Sequence, residues 1–226
     1  SLVLVVGGTI AVTLMAFPIE EVKSIAKVLR VTAFNKGGTP PEEIERIVDY
    51  ANLARREGLL ALETKLKEVD DQFFAKGIQL VIDGFGADTV RDIMDLEAEW
   101  QRQRHSMGKT ILDQMGAFCP AFGMIGTLVG LIIMLAQMGD DPTKLGEGLA
   151  VALCTTLYGV IMQRMIFAPA SAKIKQREQI NKFRQVLMAE GMIMLADRKN
   201  PRYIQDRMNS FLDPAIHYDL DKQLKK

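Results

Sequence analysis

Uncharged apolar runs alternate with long, densely charged stretches along this chain. Residues 1–18, SLVLVVGGTIAVTLMAFP, and residues 114–137 carry no charge, and 149–169 carries a single cation, Arg164. A bilayer's hydrocarbon core is ~30 Å thick and takes ~20 apolar residues as a helix. The pattern therefore predicts transmembrane helices at 1–18, 114–138 and 149–169, with a short linker at 139–148. The polar stretches, 19–113 and 170–226, read as helical. Thr39-Pro40-Pro41-Glu42 is a helix start, with a threonine cap and prolines in the first turn. Ile44, Ile47, Val48 and Ala51 follow at helical spacing as one buried stripe. Gly58 interrupts, Gly84-Phe-Gly86 breaks the chain again, and Asp88 is expected to cap a long helix through Val90, Ile93, Met94 and Trp100. After Pro169 an amphipathic helix carries Ile180, Phe183, Leu187 and Leu195. Asn200-Pro201 breaks it, and Asp213-Pro214 ends the last helical piece. No useful β-alternation occurs. The expected fold is all-α: a polytopic membrane protein with a helical cytoplasmic domain.

Small residues and prolines refine the apolar runs. Gly123, Gly126 and Gly130 let a neighbouring helix come close, with Gly126 and Gly130 forming a GxxxG match. The linker glycines, Gly139, Gly146 and Gly148, predict a tight hairpin between the second and third runs. Pro120 and Pro169 each remove a helix hydrogen bond. They read either as simple kinks or ends, or as a pair of hinges near the cytoplasmic boundary. The first run has no charged lead-in, no cleavage site and no initiator Met. The expectation is a start within a transmembrane helix of a larger protein, with something missing upstream.

Composition alone would conceal all this. With 28 Lys and Arg against 28 Asp and Glu and a mean hydropathy of +0.07, the chain averages out as a water-soluble domain. Charge placement sets orientation. Lys23, Lys27, Lys109, Lys173 and Lys175 flank the runs, whereas the linker holds only Lys144. The positive-inside rule puts both large polar regions in the cytoplasm and the linker outside. Balanced charge with no basic run gives no reason to expect nucleic acid. Cys119 and Cys154 lie in apolar segments and read as packing residues; His105 and His217 read as solvated. No metal-ligand spacing and no nucleophile–base constellation occurs, and Asp83-Gly-Phe-Gly86 lacks the strand–glycine–helix setting of a phosphate loop. Neither an enzyme nor a bound cofactor is expected.

The apolar runs contain no Asp, Glu, Lys or His; their polar groups are mainly Thr9, Thr13, Thr127, Thr155 and Thr156. Each hydroxyl has two readings: bonded to its own helix carbonyl, or lining a hydrated path. An ion crossing lipid needs an ionisable or strongly coordinating group. A threonine can help desolvate Na⁺ but cannot titrate. If the chain conducts, the carboxylate must come from another polypeptide. Arg55, Arg56, Glu57 and Glu63, taken alone, read as a solvated charged surface.

Several stretches resemble the MotA/PomA family of flagellar motor stator subunits, within the MotA/TolQ/ExbB superfamily. CPAFGMIGTLVGLI is similar to that family's third transmembrane helix, and SLVLVVGGTIAVTLMAFP to its second. ANLARREGLLALE resembles its charged cytoplasmic motif, RHSMGK the stretch before the third helix, and LAVALCTTLYG the start of the fourth. The resemblance implies an ion-driven, torque-generating channel subunit of the bacterial inner membrane. It implies a pentamer around two single-span MotB- or PomB-like partner helices, each supplying an intramembrane Asp. By position it implies that Arg55 and Glu63 engage a FliG-like switch-ring protein of the rotor. Pro120 and Pro169 match the prolines that couple ion flow to motion, and Thr127 and Thr155 match hydroxyls of the sodium path, with Thr156 beside them. The transported ion is Na⁺ or H⁺, and the threonine pair leans to Na⁺. Two departures stand out: the family's first transmembrane helix is absent, and Arg164 lies where a neutral residue is expected. A proton-driven stator, an ExbB- or TolQ-like energiser and a membrane scaffold without transport are the alternatives.

Overall fold

The structure is a computed structural model that describes residues 1–23, 25, 39–66, 69–137 and 144–218. Among these residues every regular element is helical and there is no strand, so the chain is all-α. It divides into two compact units: Ser1–Asn35 with His105–Glu178, and Lys36–Arg104 with Gln179–Lys226.

In the second of these units, helix α2 (Pro40–Glu57) starts where its sequence directs. The Thr39 backbone N–H donates to Glu42 Oε2 at 3.0 Å. Glu42 and Glu43 in the first turn and Arg55 and Arg56 in the last complement the helix dipole. Gly58, at φ 89°, ends it in a conformation that favours glycine. A 3₁₀ turn (Leu59–Ala61) and the short α3 (Leu62–Leu66) follow. Asp71 caps α4 (Gln72–Ile82), its Oδ1 accepting from Phe73 and Phe74 N–H at 2.9 and 3.2 Å. The predicted stripe Ile44, Ile47, Val48 and Ala51 is buried against Phe74, Ile78, Leu187 and Ile204. Each Ile, Val, Leu or Phe among them contributes roughly 1.5–3 kcal/mol on burial. Met94, Met188, Met192, Met194 and Met208 complete this core, all buried.

The later elements of this unit come from α7 (Ala168–Ala196) and α8 (Pro201–Asn209), the latter capped by Asn200. Between them α7 closes in a Schellman motif: Arg198 N–H donates to the Leu195 carbonyl and Lys199 N–H to that of Met194, both at 3.0 Å. Arg198 takes the left-handed position at φ 50°. Glycine is the usual occupant, and an L side chain there costs roughly 1–2 kcal/mol.

The other unit holds α1 (Leu2–Ala16), α6 (Lys144–Ile161), a π-helical segment (Met162–Phe167) and the membrane-type part of α5 (Ala87–Gln137). The helices Ala87–Ala136 and Leu145–Ala196 are long and apolar enough to cross a membrane, while Leu2–Ala16 is a shorter apolar helix. Only 22% and 17% of the most apolar windows of the two long helices are buried. A soluble core helix would be mostly buried, so these faces suit an apolar surrounding. Leu128, Ile132, Leu135, Leu153, Leu157 and Met165 are all exposed.

Several expected boundaries are corrected. The step at 113/114 is not an element boundary, because α5 runs unbroken through it for 51 residues. Pro169 does not end a helix: it sits in the first turn of α7, directly after the π segment, and the helical run continues to Ala196. The Ala168 N–H bonds to the Gln163 carbonyl, five residues back. That widened turn accommodates a residue with no N–H to offer. Gly146 and Gly148, expected in the linker, lie within α6. Residue 138, residues 139–143 of that linker and the side chain of His105 lie outside the described residues. Asp88 lies in the first turn of α5 instead of capping it. Asp213 caps a 3₁₀ turn (Pro214–Ile216), whereas α8 has already ended at Asn209.

Candidate functional site

Glycines make the seam between α5 and α6. A Cβ on Gly123 would lie 3.3 Å from Thr156 Cα, and one on Gly130 would lie 3.2 Å from Ala152 Cα. On the opposite helix, a Cβ on Gly159 would lie 2.7 Å from the Cys119 carbonyl oxygen. Partner numbers fall on α6 as they rise on α5, so the two helices pack antiparallel, as the hairpin expectation requires. A Cβ on Gly126 would collide with Cγ2 of Thr155, so the GxxxG pair is what admits α6.

This close approach brings hydroxyls together. Thr127 Oγ1 lies 3.0 Å from the carbonyl of Gly123 on its own helix and 3.0 Å from that of Ala152 across the seam. It also pairs with Thr156 Oγ1. Thr155 is buried, and its hydroxyl donates to the Val151 carbonyl at 2.7 Å. Thr9 and Thr13 on α1 likewise bond back to Val5 and Thr9 carbonyls, both at 2.7 Å. Thr9 Oγ1 also lies 3.4 Å from Cys119 Sγ, so this buried cysteine packs and shares a weak hydrogen bond. A hydroxyl that donates to a carbonyl keeps its lone pairs as acceptors. Those of Thr127 and Thr156, both half-buried, form one cluster of oxygens.

Pro120 interrupts no helix; it lies inside α5, where the Gly116 carbonyl receives no N–H from it. Arg164 is exposed within the π segment. In the other unit, Arg55 lies in the last turn of α2 and Glu63 in the first turn of α3, on either side of the Gly58 turn. Both are exposed, and neither joins an ion pair among the described residues. That suits a surface left open for a partner as well as a solvated one. Among the described residues no group of His, Cys, Asp or Glu could hold a metal ion.

The model of the MotA/TolQ/ExbB proton channel family matches residues 65–188, more than half of the chain. The chain belongs to this family. Chemotaxis protein PomA of Vibrio alginolyticus is 38% identical over 213 residues, covering 94% of this chain and 83% of PomA. YtxD, an uncharacterized protein of Bacillus subtilis, is 36% identical over 225 residues, covering 100% of this chain and 82% of its own length. The solved flagellar MotAB stator complex of Bacillus subtilis superposes with a TM-score of 0.85 at 32% identity, covering 99% of this chain and 85% of that one. The likeness within the family is thus to flagellar motor stator subunits, which are ion-channel subunits and not enzymes.

Sequence reasoning missed one constellation in this family member. Arg184 on α7 pairs with Glu43 in the first turn of α2 and lies 3.4 Å from Asp71, the cap of α4. Glu43 is 4% exposed, and its Oε2 has no hydrogen-bond partner. Burial pushes this carboxyl up to about 7, against the opposing pull of the Arg184 guanidinium. The sequence carried no signal of it, because 141 residues separate the partners.

Proposed function

We propose that this chain is the torque-generating, ion-conducting subunit of a flagellar motor stator in the bacterial inner membrane. The observation that carries the proposal is the charge-free α5–α6 seam with its Thr127–Thr156 hydroxyl pair, in a chain 38% identical to a chemotaxis protein PomA. The apolar segments supply no carboxylate. A single-span MotB- or PomB-like partner would supply the Asp that accepts the ion, and the likeness to a MotAB complex supports such a partner. A pentamer of this chain around two partner helices fits the small-residue seams and the apolar, lipid-facing outer surfaces. Arg55 and Glu63 would meet a FliG-like rotor protein, and Pro120 and Pro169 would act as hinges.

The ion assigned is Na⁺. Thr127, Thr155 and Thr156 carry hydroxyl oxygens able to replace part of a sodium ion's water shell, which a proton passing along water does not need. The test is rotation speed against external Na⁺ at fixed proton-motive force, with the chain and its partner expressed in a stator-less host. Speed should rise with Na⁺ and fall to near zero in Thr155→Ala, with oligomer size unchanged. A speed independent of Na⁺ would make the proton-driven reading the better one.

A further inference from the structure

The π segment Met162–Phe167 takes up more chain per turn than a regular helix, and the Ala168 N–H closes it on the Gln163 carbonyl. In an α-helix each residue turns the chain by ~100° and advances it by ~1.5 Å. Tightening this turn to α geometry would therefore swing every side chain of α7 by about 100° relative to α6. A π turn is rare because the α form is ordinarily preferred, so something outside its own backbone has to hold it. Pro169 removes one N–H from the α pattern, but it does not choose which face of α7 meets α5.

Ser171 makes that choice. It is the fourth residue of α7, it is buried, and its hydroxyl donates to Asp113 Oδ1 on α5. Thr9, Thr13 and Thr155 instead return their hydroxyls to carbonyls of their own helices. The other carboxylate oxygen, Asp113 Oδ2, accepts from Lys109 Nζ at 2.6 Å, one turn earlier on α5, and this aims the carboxylate. Ile111 and Leu112 beside Asp113, and Phe167 and Ile174 on either side of Ser171, belong to one buried apolar cluster. Apolar burial has no direction of its own, whereas a hydrogen bond to a charged oxygen does. A swing of about 100° would carry Ser171 off α5, so this bond forms only while the π turn is in place.

We propose that Asp113, acting through Ser171, is a positioning residue that keeps the π turn wound and so fixes the angular register of α7 on α5. Without the bond, α7 is free to take the α register and motion of α5 is no longer passed to it in a fixed direction. Torque then falls while the ion path along the α5–α6 seam stays open. The consequence for torque rests on the stator reading; the register does not.

The test uses the full chain with its partner in a host lacking its own stator. Ser171→Ala and Asp113→Leu should each rotate at most about one third as fast, with equal membrane-inserted complex and ion flux in rotor-free vesicles unchanged within about twofold. Asp113 has 49% of its side chain exposed, so water can satisfy it in Ser171→Ala and the variant stays folded. Ser171→Thr keeps the donor and Asp113→Asn keeps an acceptor, so both should rotate near the unmodified speed. The double variant Ser171→Ala with Asp113→Leu should be no slower than the slower single one, since both remove the same bond. Unmodified speed in Ser171→Ala would overturn the proposal, as would Asp113→Asn as slow as Asp113→Leu or slowing that multiplies in the double variant. Register is read separately by an oxidative disulfide between Gly116→Cys and Phe167→Cys, with Cys119→Ala and Cys154→Ala. A Cβ on Gly116 lies 3.4 Å from Phe167 Cβ, close to disulfide range. Adding Ser171→Ala should lower the disulfide yield at least about threefold; an equal yield would overturn the register. If the yield falls as expected but the unmodified chain drives no rotation, the stator reading falls and the register remains. If the unmodified chain drives rotation and Ser171→Ala matches it in speed and yield, the positioning role falls and the stator reading stands.

Discussion

Glu43 carries a carboxyl group that folding removes almost wholly from water. Its pKa rises from an ordinary 4.5 to about 7, chiefly by desolvation, with Asp71 adding to the rise while Arg184 and Arg46 oppose it. Between those two values the folded state holds more protons than the unfolded one. Stability from this group is therefore complete below pH 4.5 and is lost as pH rises towards 7. A shift of that size corresponds to roughly 3 kcal/mol. The thermal midpoint of the detergent-solubilised chain should fall over that window, and Glu43→Gln should flatten the dependence. An unchanged slope in Glu43→Gln would remove Glu43 from the account. Arg184→Met should instead cost about 3–5 kcal/mol above pH 7, since it strands a buried carboxylate. The chain's local chemistry gave no hint of this. The sequence showed Glu43 as one more acid in a helix's first turn, because burial depends on what α7 brings across.

Among the elements, the α5–α6 seam tolerates little change. Gly159→Ala would press a methyl group on the Cys119 carbonyl, and backbone on both sides cannot yield. The expected cost is roughly 1–3 kcal/mol, seen as a lower midpoint for loss of the folded complex on heating. Gly146→Ala, in the same helix with nothing within 4 Å, should leave that midpoint equal or higher. Equal midpoints for the two variants would mean the seam is looser than described. Pro169→Ala restores an N–H after the π segment and should let Met162–Phe167 relax towards regular α-helix. If that turn is the hinge, rotation should slow while membrane-inserted complex remains; swimming at normal speed would count against the hinge. The helices themselves were legible, since a 3.6-residue stripe such as Ile44 to Ala51 and a cap such as Thr39 are local properties. Their continuity through residue 113 and Pro169 was not. Charge marks where water begins, but a helix crosses that boundary without breaking, and a proline can be absorbed by one wider turn.

At the scale of the whole molecule, the proposed function depends on partners, and exposed charged residues are where the proposal is tested. Glu63→Lys should reduce rotor engagement without altering ion flux, since Glu63 is exposed and outside the apolar segments. Flux measured in vesicles with the rotor absent checks this: a blocked channel there would reject the assignment of Glu63 to the rotor. A charge reversal on the rotor should restore motion in the variant, because complementary charge sets encounter and register. The threonine cluster was visible as residue types but not as a cluster, because register between two helices is not written in either. One further property belongs to the unit built on Met94, Met188, Met192, Met194 and Met208. Thioethers suit an irregular core because they flex and polarise, yet each becomes a polar sulfoxide on oxidation. While the unit stays closed, these side chains are buried and largely shielded from peroxide. Each transient opening exposes them, and an oxygen atom gained there prevents the core from closing as before. Oxidative stress would thus convert brief breathing of this unit into lasting loss of structure, at a rate set by how often the core opens.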